Sequence, residues 1–503
     1  MAEHVMTETV SRPAEPAGSA GSGADGIPDH LKPGEFSEPY SDRLTEFMKS
    51  GWGVQEEIPL PPAPAGERLA GRRDQLRARL PGGLPAVIPA GTAARRNDDQ
   101  SYPFRAGSDY VWLTGDQTPG GVLLVDPGSA AGDVLFLVPP SGREDGEFYR
   151  DSAAGELWVG GRPSLESRAA ALGVTCRPLA ELPAALAASG RALVSRGFDA
   201  ATEQQVAAAG PEPDAELTAI LSELRLVKDA WEISQLRLAV DTSMAGFGDV
   251  AALLRGPGGL AGLTERHIEC AFGTRARLAG NGTGYHVIAA AGSHATTLHW
   301  NRNDGRVRDG DLLLMDAGAE TSALYTADVT RTFPVSGRFT SLQRQVYEIV
   351  LAAQEAGMAE LRPGADFRAF YPASARVLAE GLEALGVLPV SAAESLQPDC
   401  GLHRRWTLHS PGHMLGLDVH DCSKAREAQY LGGPLAAGQV LTVEPGLYFQ
   451  ANDERIPEEL RGIGVRIEDD VLITSGGYEN LSGRLPRDPD EIEAWCAAAG
   501  RIG

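Results

Sequence analysis

The chain has 503 residues, room for two to four domains, and its 43% hydrophobic and 22% charged content is that of a globular protein. Acidic residues outnumber basic ones 68 to 45, for a net charge of −23, which argues against nucleic acid and anionic membrane as partners. No run approaches the ~18 apolar residues of a membrane span, and the opening segment lacks a secretory signal's basic start and apolar stretch, so a cytoplasmic protein is expected. The five cysteines are scattered without a C-x-x-C pair, so neither a disulfide framework nor a structural zinc site is expected.

Residues 1–40 are rich in Gly, Ala, Ser and Pro and read as a disordered tail. Pro59–Pro64 leads into a helix expected over Glu67–Leu80, with its arginines on a solvated face. Ala86–Ile88, Tyr110–Leu113, Gly121–Val125 and Val134–Val138 read as strands, and Ser164–Leu172 and Ala201–Ala209 as helices. Together they predict an N-terminal α/β domain over residues 41–214, with no phosphate-binding glycine loop. The boundary is set at Pro211–Asp214, read as a helix stop.

The remainder, 215–503, has a different pattern. Apolar residues recur at helical spacing through Ser341–Leu361, and the regions around 299–335 and 438–474 are strand-like. The segment Gly310-Asp-Leu-Leu-Leu-Met-Asp316-Ala-Gly318 lines up with Gly438-Gln-Val-Leu-Thr-Val-Glu444-Pro-Gly446. Each is a turn glycine, an apolar strand and a carboxylate. Two such halves packed face to face bring Asp316 and Glu444 together about a pseudo-twofold.

Five polar residues stand in apolar, glycine-punctuated segments: Asp316, Asp328, His413, Glu444 and Glu468. One carboxylate at a strand end is ordinarily a turn or cap residue; four with a histidine are not explained that way. Alternation points Val465 and Ile467 one way and Arg466 and Glu468 the other. Buried charges need compensation, and two divalent cations would balance four carboxylates. Oxygen-rich ligation with one imidazole favours Mn²⁺, with Zn²⁺, Co²⁺ or Fe²⁺ as options.

The segments Asp316–Pro334, His413–His420, Val443–Tyr448 and Gly462–Glu468 resemble the pita-bread metallopeptidases, and among them the aminopeptidase P (Xaa-Pro aminopeptidase) family. The resemblance extends to Arg96–Arg105 and Ser108–Gly115. It implies an α+β catalytic domain with a curved, mainly antiparallel sheet around two metal ions, usually manganese. Asp316, Asp328, His413, Glu444 and Glu468 would be the ligands, and a metal-bridging hydroxide would attack the Xaa-Pro bond. Glu444 would carry the proton, and His299 and His420 would bind substrate or stabilise the oxyanion. His409 would lie against the substrate, and Arg466 would orient a ligand carboxylate. Asp99 matches an acid that either reaches the substrate pocket or forms a salt bridge. Peptides with proline second are the expected partners, and the family implies a dimer or tetramer. A prolidase restricted to Xaa-Pro dipeptides shares every ligand; a non-catalytic pita-bread binding protein ordinarily loses them. The twelve positions from Asp316 to Asp328 are one more than the resemblance leads us to expect, predicting an enlarged turn at Thr321–Tyr325.

Overall fold

The computed structural model describes residues 41–53, 56–97, 100–129, 132–152, 154–256 and 259–499. The tail expected at 1–40, and Asp99, lie outside the described residues. Two compact units emerge: the described parts of 1–55, 95–100 and 141–161, and the rest of the chain. In the smaller unit, the short helix Asp42–Met48 starts at Ser41, whose hydroxyl accepts from the Leu44 amide. Trp52 meets Phe148 edge-on at 5.4 Å, and the Arg143 guanidinium covers both rings.

The larger unit holds two layered arrangements. The N-terminal one is a six-stranded mixed sheet in the order Thr175–Pro178, Val134–Leu137, Val122–Val125, Ala86–Pro89, Arg191–Val194 and Ala207–Ala208. Ala86–Pro89 pairs antiparallel with Val122–Val125 and parallel with Arg191–Val194, and its four residues are buried. This is the expected α/β domain, with four corrections. Tyr110–Leu113 is not a strand: it lies in the helix Ser108–Thr114, closed by Gly115 at φ 69°. A four-residue apolar run buried on nearly all sides has no period that separates helix from strand. Pro211 does not stop a helix; it opens Pro211–Leu224, where proline's missing N–H costs nothing. The helix expected over Ala201–Ala209 ends at Gln205, because Ala207–Ala208 pairs with Arg191–Ala192. The helix Gly66–Arg77 does not present all its arginines to solvent. Arg72 and Arg73 are buried, Arg72 against Asp229 and Glu232, and Arg73 against Asp133 and the Leu113 carbonyl.

In the C-terminal half, the helices Ala230–Leu254 and Glu265–Ala279 pack together, as do Ser341–Met358 and Phe370–Ala384. Capping boxes at Asp229/Glu232 and Thr340/Gln343 fix where the first helix of each pair begins. Each pair precedes a set of antiparallel strands. Leu312–Asp316 lies between Ile288–Ala291 and Thr330–Pro334. Val440–Val443 pairs with Asp469–Thr474, and Gly446–Tyr448 with Gly464–Arg466. An isolated bridge from Thr330 to Glu468 joins the two sets. The duplicated element order read from the sequence is present. One hairpin ends at Asp316 and returns after Asp328; the other ends before Glu444 and returns after Glu468. Val465 and Ile467 enter the core cluster with Leu313, Met315 and Phe333, leaving Arg466 and Glu468 on the opposite face.

The turn expected at Thr321–Tyr325 is there. The Leu324 amide donates to the Thr321 carbonyl, and Leu324 takes φ 68° while buried among apolar neighbours.

Candidate metal centre

A cavity of about 430 Å³ is lined by Asp316, Asp328, His413, Glu444, Glu468, His299, His409, His420 and Arg466. Asp99 aside, every site residue expected from the sequence therefore borders one space. Ligand atoms of Asp328, His413 and Glu468 lie within 4.8 Å of one another. His413 Nε2 is 3.3 Å from Asp328 Oδ2 and 3.4 Å from Glu444 Oε1. Its other nitrogen, Nδ1, lies 3.2 Å from the Met414 carbonyl, which only an N–H can satisfy. That contact commits the Nδ1 hydrogen to Met414 and leaves Nε2 as the nitrogen that faces the carboxylates.

Four carboxylates this close and this buried repel one another. Burial raises the Asp316 carboxyl above its ordinary range, and the Arg466 guanidinium only partly offsets this. Burial pushes Glu444 up to about 7, with His413 opposing and Asp328 adding to the rise. Glu468 is raised further, by burial and then by Asp328. Burial disfavours charge on His413, yet Asp328 and Glu444 push it up to about 9. A cluster that draws a proton onto a buried imidazole is one whose field favours a cation. The donor set, four carboxylates and one imidazole, fits hard divalent ions.

The surrounding contacts aim these groups. Arg466 Nη2 donates to Asp316 Oδ2, Nε reaches Thr330 Oγ1 at 3.1 Å, and Nη1 reaches Tyr448 Oη at 3.2 Å. Thr330 Oγ1 donates to Glu468 Oε2 at 2.7 Å. His409 Nε2 is 2.8 Å from Tyr448 Oη, and burial followed by the nearby Arg466 charge lowers His409 to about 4, so it is neutral at pH 7. The His413 and His420 rings meet edge to face at 4.3 Å. Sequence reasoning missed Tyr285, whose hydroxyl lies 2.6 Å from both Asp316 Oδ1 and Asp328 Oδ1. A lone tyrosine before an apolar strand carries no signal of that role.

The chain is 51% identical over 461 residues to Xaa-Pro aminopeptidase 1 of Streptomyces coelicolor, covering 91% of this chain and 92% of the relative. It belongs to the Xaa-Pro aminopeptidase family. Residues 234–475 match metallopeptidase family M24, and residues 69–193 match the aminopeptidase P N-terminal domain. The Xaa-Pro aminopeptidase of Escherichia coli K12 is 33% identical over 452 residues, 85% of this chain and 97% of that protein. Among solved structures, E. coli aminopeptidase P with the inhibitor Pro-Leu aligns with TM-score 0.76 and 31% identity, over 88% of this chain and all of that one. A Pseudomonas aeruginosa aminopeptidase aligns at TM-score 0.77 and 30% identity, over 87% and 99%. The two-domain pita-bread architecture is thus shared. As an M24 member the chain is an enzyme of a metallopeptidase class, and among the described residues no helix is long and apolar enough to cross a membrane.

Proposed function

We propose that the chain removes the first residue of peptides whose second residue is proline. One observation carries this: Asp316, Asp328, His413, Glu444 and Glu468 converge on a single cavity that also holds His299, His409 and His420. In this reading the five converging residues hold two divalent ions, Mn²⁺ by preference. Such ions supply Lewis acidity to the scissile carbonyl and acidify a water molecule, their general role in aminopeptidases. Glu444, on the lining of the cavity, is placed to take a proton from the attacking water and deliver it to the proline nitrogen as it leaves. The delivery matters because an Xaa-Pro amide nitrogen carries no hydrogen of its own. His299 and His420 donate to the carbonyl oxygen as charge develops there. His409, kept neutral, faces the substrate, and Arg466 holds Asp316 in place. We further propose a catalytic domain spanning 215–503 behind an N-terminal domain at 41–214, a dimer or tetramer, and residence in the cytoplasm.

The test is hydrolysis of Xaa-Pro and Xaa-Pro-Xaa-Xaa peptides, followed by mass spectrometry after chelation and Mn²⁺ restoration. Metal-dependent release of one residue from the longer peptide supports the proposal. Cleavage of the dipeptide alone makes the chain a prolidase. Bound metal with no cleavage overturns the substrate assignment, and no bound metal overturns the mechanism.

A further inference from the structure

The two active-site histidines at 413 and 420 flank a turn that is tied to groups far away in sequence. The turn closes on itself: the Asp421 amide donates to the Met414 carbonyl at 2.9 Å, and the Gly416 amide to the Asp418 carbonyl at 3.1 Å. Gly416 is required there, since a Cβ would lie 2.1 Å from Asp421 Oδ2. Two acids in the turn point away from the cavity. Asp421 is 1% exposed and lies 2.8 Å from Arg225 Nη2 and 3.0 Å from Lys228 Nζ. Asp418 accepts from Ser108 Oγ at 2.6 Å and from Arg225 Nη2 at 3.1 Å. Arg105 donates through Nη2 to the Leu417 carbonyl at 2.5 Å and through Nε to Glu320 at 2.8 Å. Arg225 is in turn held by Asp109 at 2.8 Å. Arg105, Ser108 and Asp109 belong to the N-terminal domain; Arg225 precedes the first catalytic helix. Between these anchors only Val419 and His420 face the cavity.

Buried ion pairs are weak sources of stability, because desolvating the charges opposes their attraction. A network of this kind is better suited to fixing one geometry. The charges here are not in the cavity, and they do not reach any of the five metal-ligand positions. What they immobilise is the backbone of Leu417 to Asp421, and therefore the ring of His420.

We infer that Arg105, Ser108 and Arg225 are positioning residues for His420, acting through Leu417, Asp418 and Asp421, so that the N-terminal domain sets the geometry of a catalytic side chain. The inference rests on the proposed hydrolase activity, in which His420 touches the substrate. Displacement of a reacting group by about 1 Å costs on the order of 100-fold in rate.

The test is a double-mutant cycle on the metal-loaded, full-length protein. Arg105→Met and Ser108→Ala are made alone and with His420→Ala, and kcat, KM and bound metal are measured with an Xaa-Pro-Xaa peptide. Arg105 is partly exposed and Ser108→Ala removes a single hydroxyl, so both variants are expected to fold, checked by thermal unfolding. Expected is a ~10- to 100-fold fall in kcat for each single variant, with unchanged metal content and no further fall in the His420→Ala background. Arg225→Lys, which keeps the charge but not the two-pronged contact, is expected to recover part of the activity lost in Arg225→Met. An equal fall in both backgrounds, or no fall in the parent background, overturns the inference while leaving the hydrolase reading intact. Full activity of His420→Ala alone overturns the role of His420 and the inference with it. A crystal structure of Arg105→Met gives a readout independent of turnover: displacement of Val419 and His420 is expected, and an unmoved turn overturns the inference.

Discussion

At the scale of single residues, the site is built from side chains whose partners decide what they can do. Glu444 is the candidate proton carrier because it lines the cavity beside His413, with Oε1 3.4 Å from the imidazole Nε2. Glu444→Gln is expected to lower kcat by ~10²- to 10⁴-fold, the range for losing a general acid-base group, with metal content read in parallel by elemental analysis. Asp453 works at a distance. Both its oxygens bind Arg405 at 2.9 Å, and it accepts from buried Trp406 Nε1 at 3.0 Å. The Trp406 carbonyl accepts from Tyr448, which meets His409 and Arg466. The Arg405 hydrogen bonds hold the Asp453 carboxyl down at about 2. The stability it contributes is therefore present above the ordinary carboxylate range of about 4 and lost as pH falls through 2. Asp453→Ala leaves the indole N–H without a partner and is expected to cost about 1–3 kcal/mol, measurable by urea unfolding at pH 7, with a smaller difference at pH 2. The carboxylates and His413 were legible in the sequence because acids inside apolar strands are anomalous. Tyr285 and Thr330 were not, since one hydroxyl beside an apolar run is ordinary until the fold brings an acid to it.

At the scale of elements, loops are held by buried acids. Glu265, fully buried, accepts from the Ala291 amide and meets His294 Nδ1 with one oxygen, and accepts from Trp300 Nε1 and the Gly305 amide with the other. The segment between these contacts carries His299. In Glu265→Gln an NH₂ group must face donors on one side. The variant is expected to lose about 1–3 kcal/mol of stability and to fall in kcat, checked by thermal unfolding and peptide hydrolysis. Gly416→Ala is expected to disorder the turn between the two histidines, with activity lost at a bound-metal level near that of the parent. Helices with a clear polar face, such as Ser341–Met358, were readable from spacing. Ser108–Thr114 was not, because six of its seven residues are buried and hide the period. The burial of Arg72 and Arg73 in Gly66–Arg77 is hidden in the sequence for a related reason: their acids, Asp133, Asp229 and Glu232, come from distant parts of the chain.

At the scale of the whole molecule, the duplicated hairpins bring four like charges into one cavity, and the protein is expected to be least stable without ions. Chelation should lower the melting temperature, and Mn²⁺ at 100 times its dissociation constant should restore about 2.7 kcal/mol for each site filled, read by differential scanning calorimetry. The repeated half-domain was visible as aligned segments. The split of the smaller unit among three stretches was not, because separate stretches meet there only through tertiary packing. The bridge between Thr330 and Glu468 has a further consequence for biosynthesis. Asp316 and Glu468 are 152 residues apart in the chain, yet they border the same cavity. A ribosome delivering this chain from its amino end releases Asp316 and Asp328 long before the strand that completes their surroundings. During that interval the growing polypeptide has no enclosed site and so no peptidase activity. Hydrolysis begins only after the second hairpin has docked, which keeps unfinished chains from trimming other peptides.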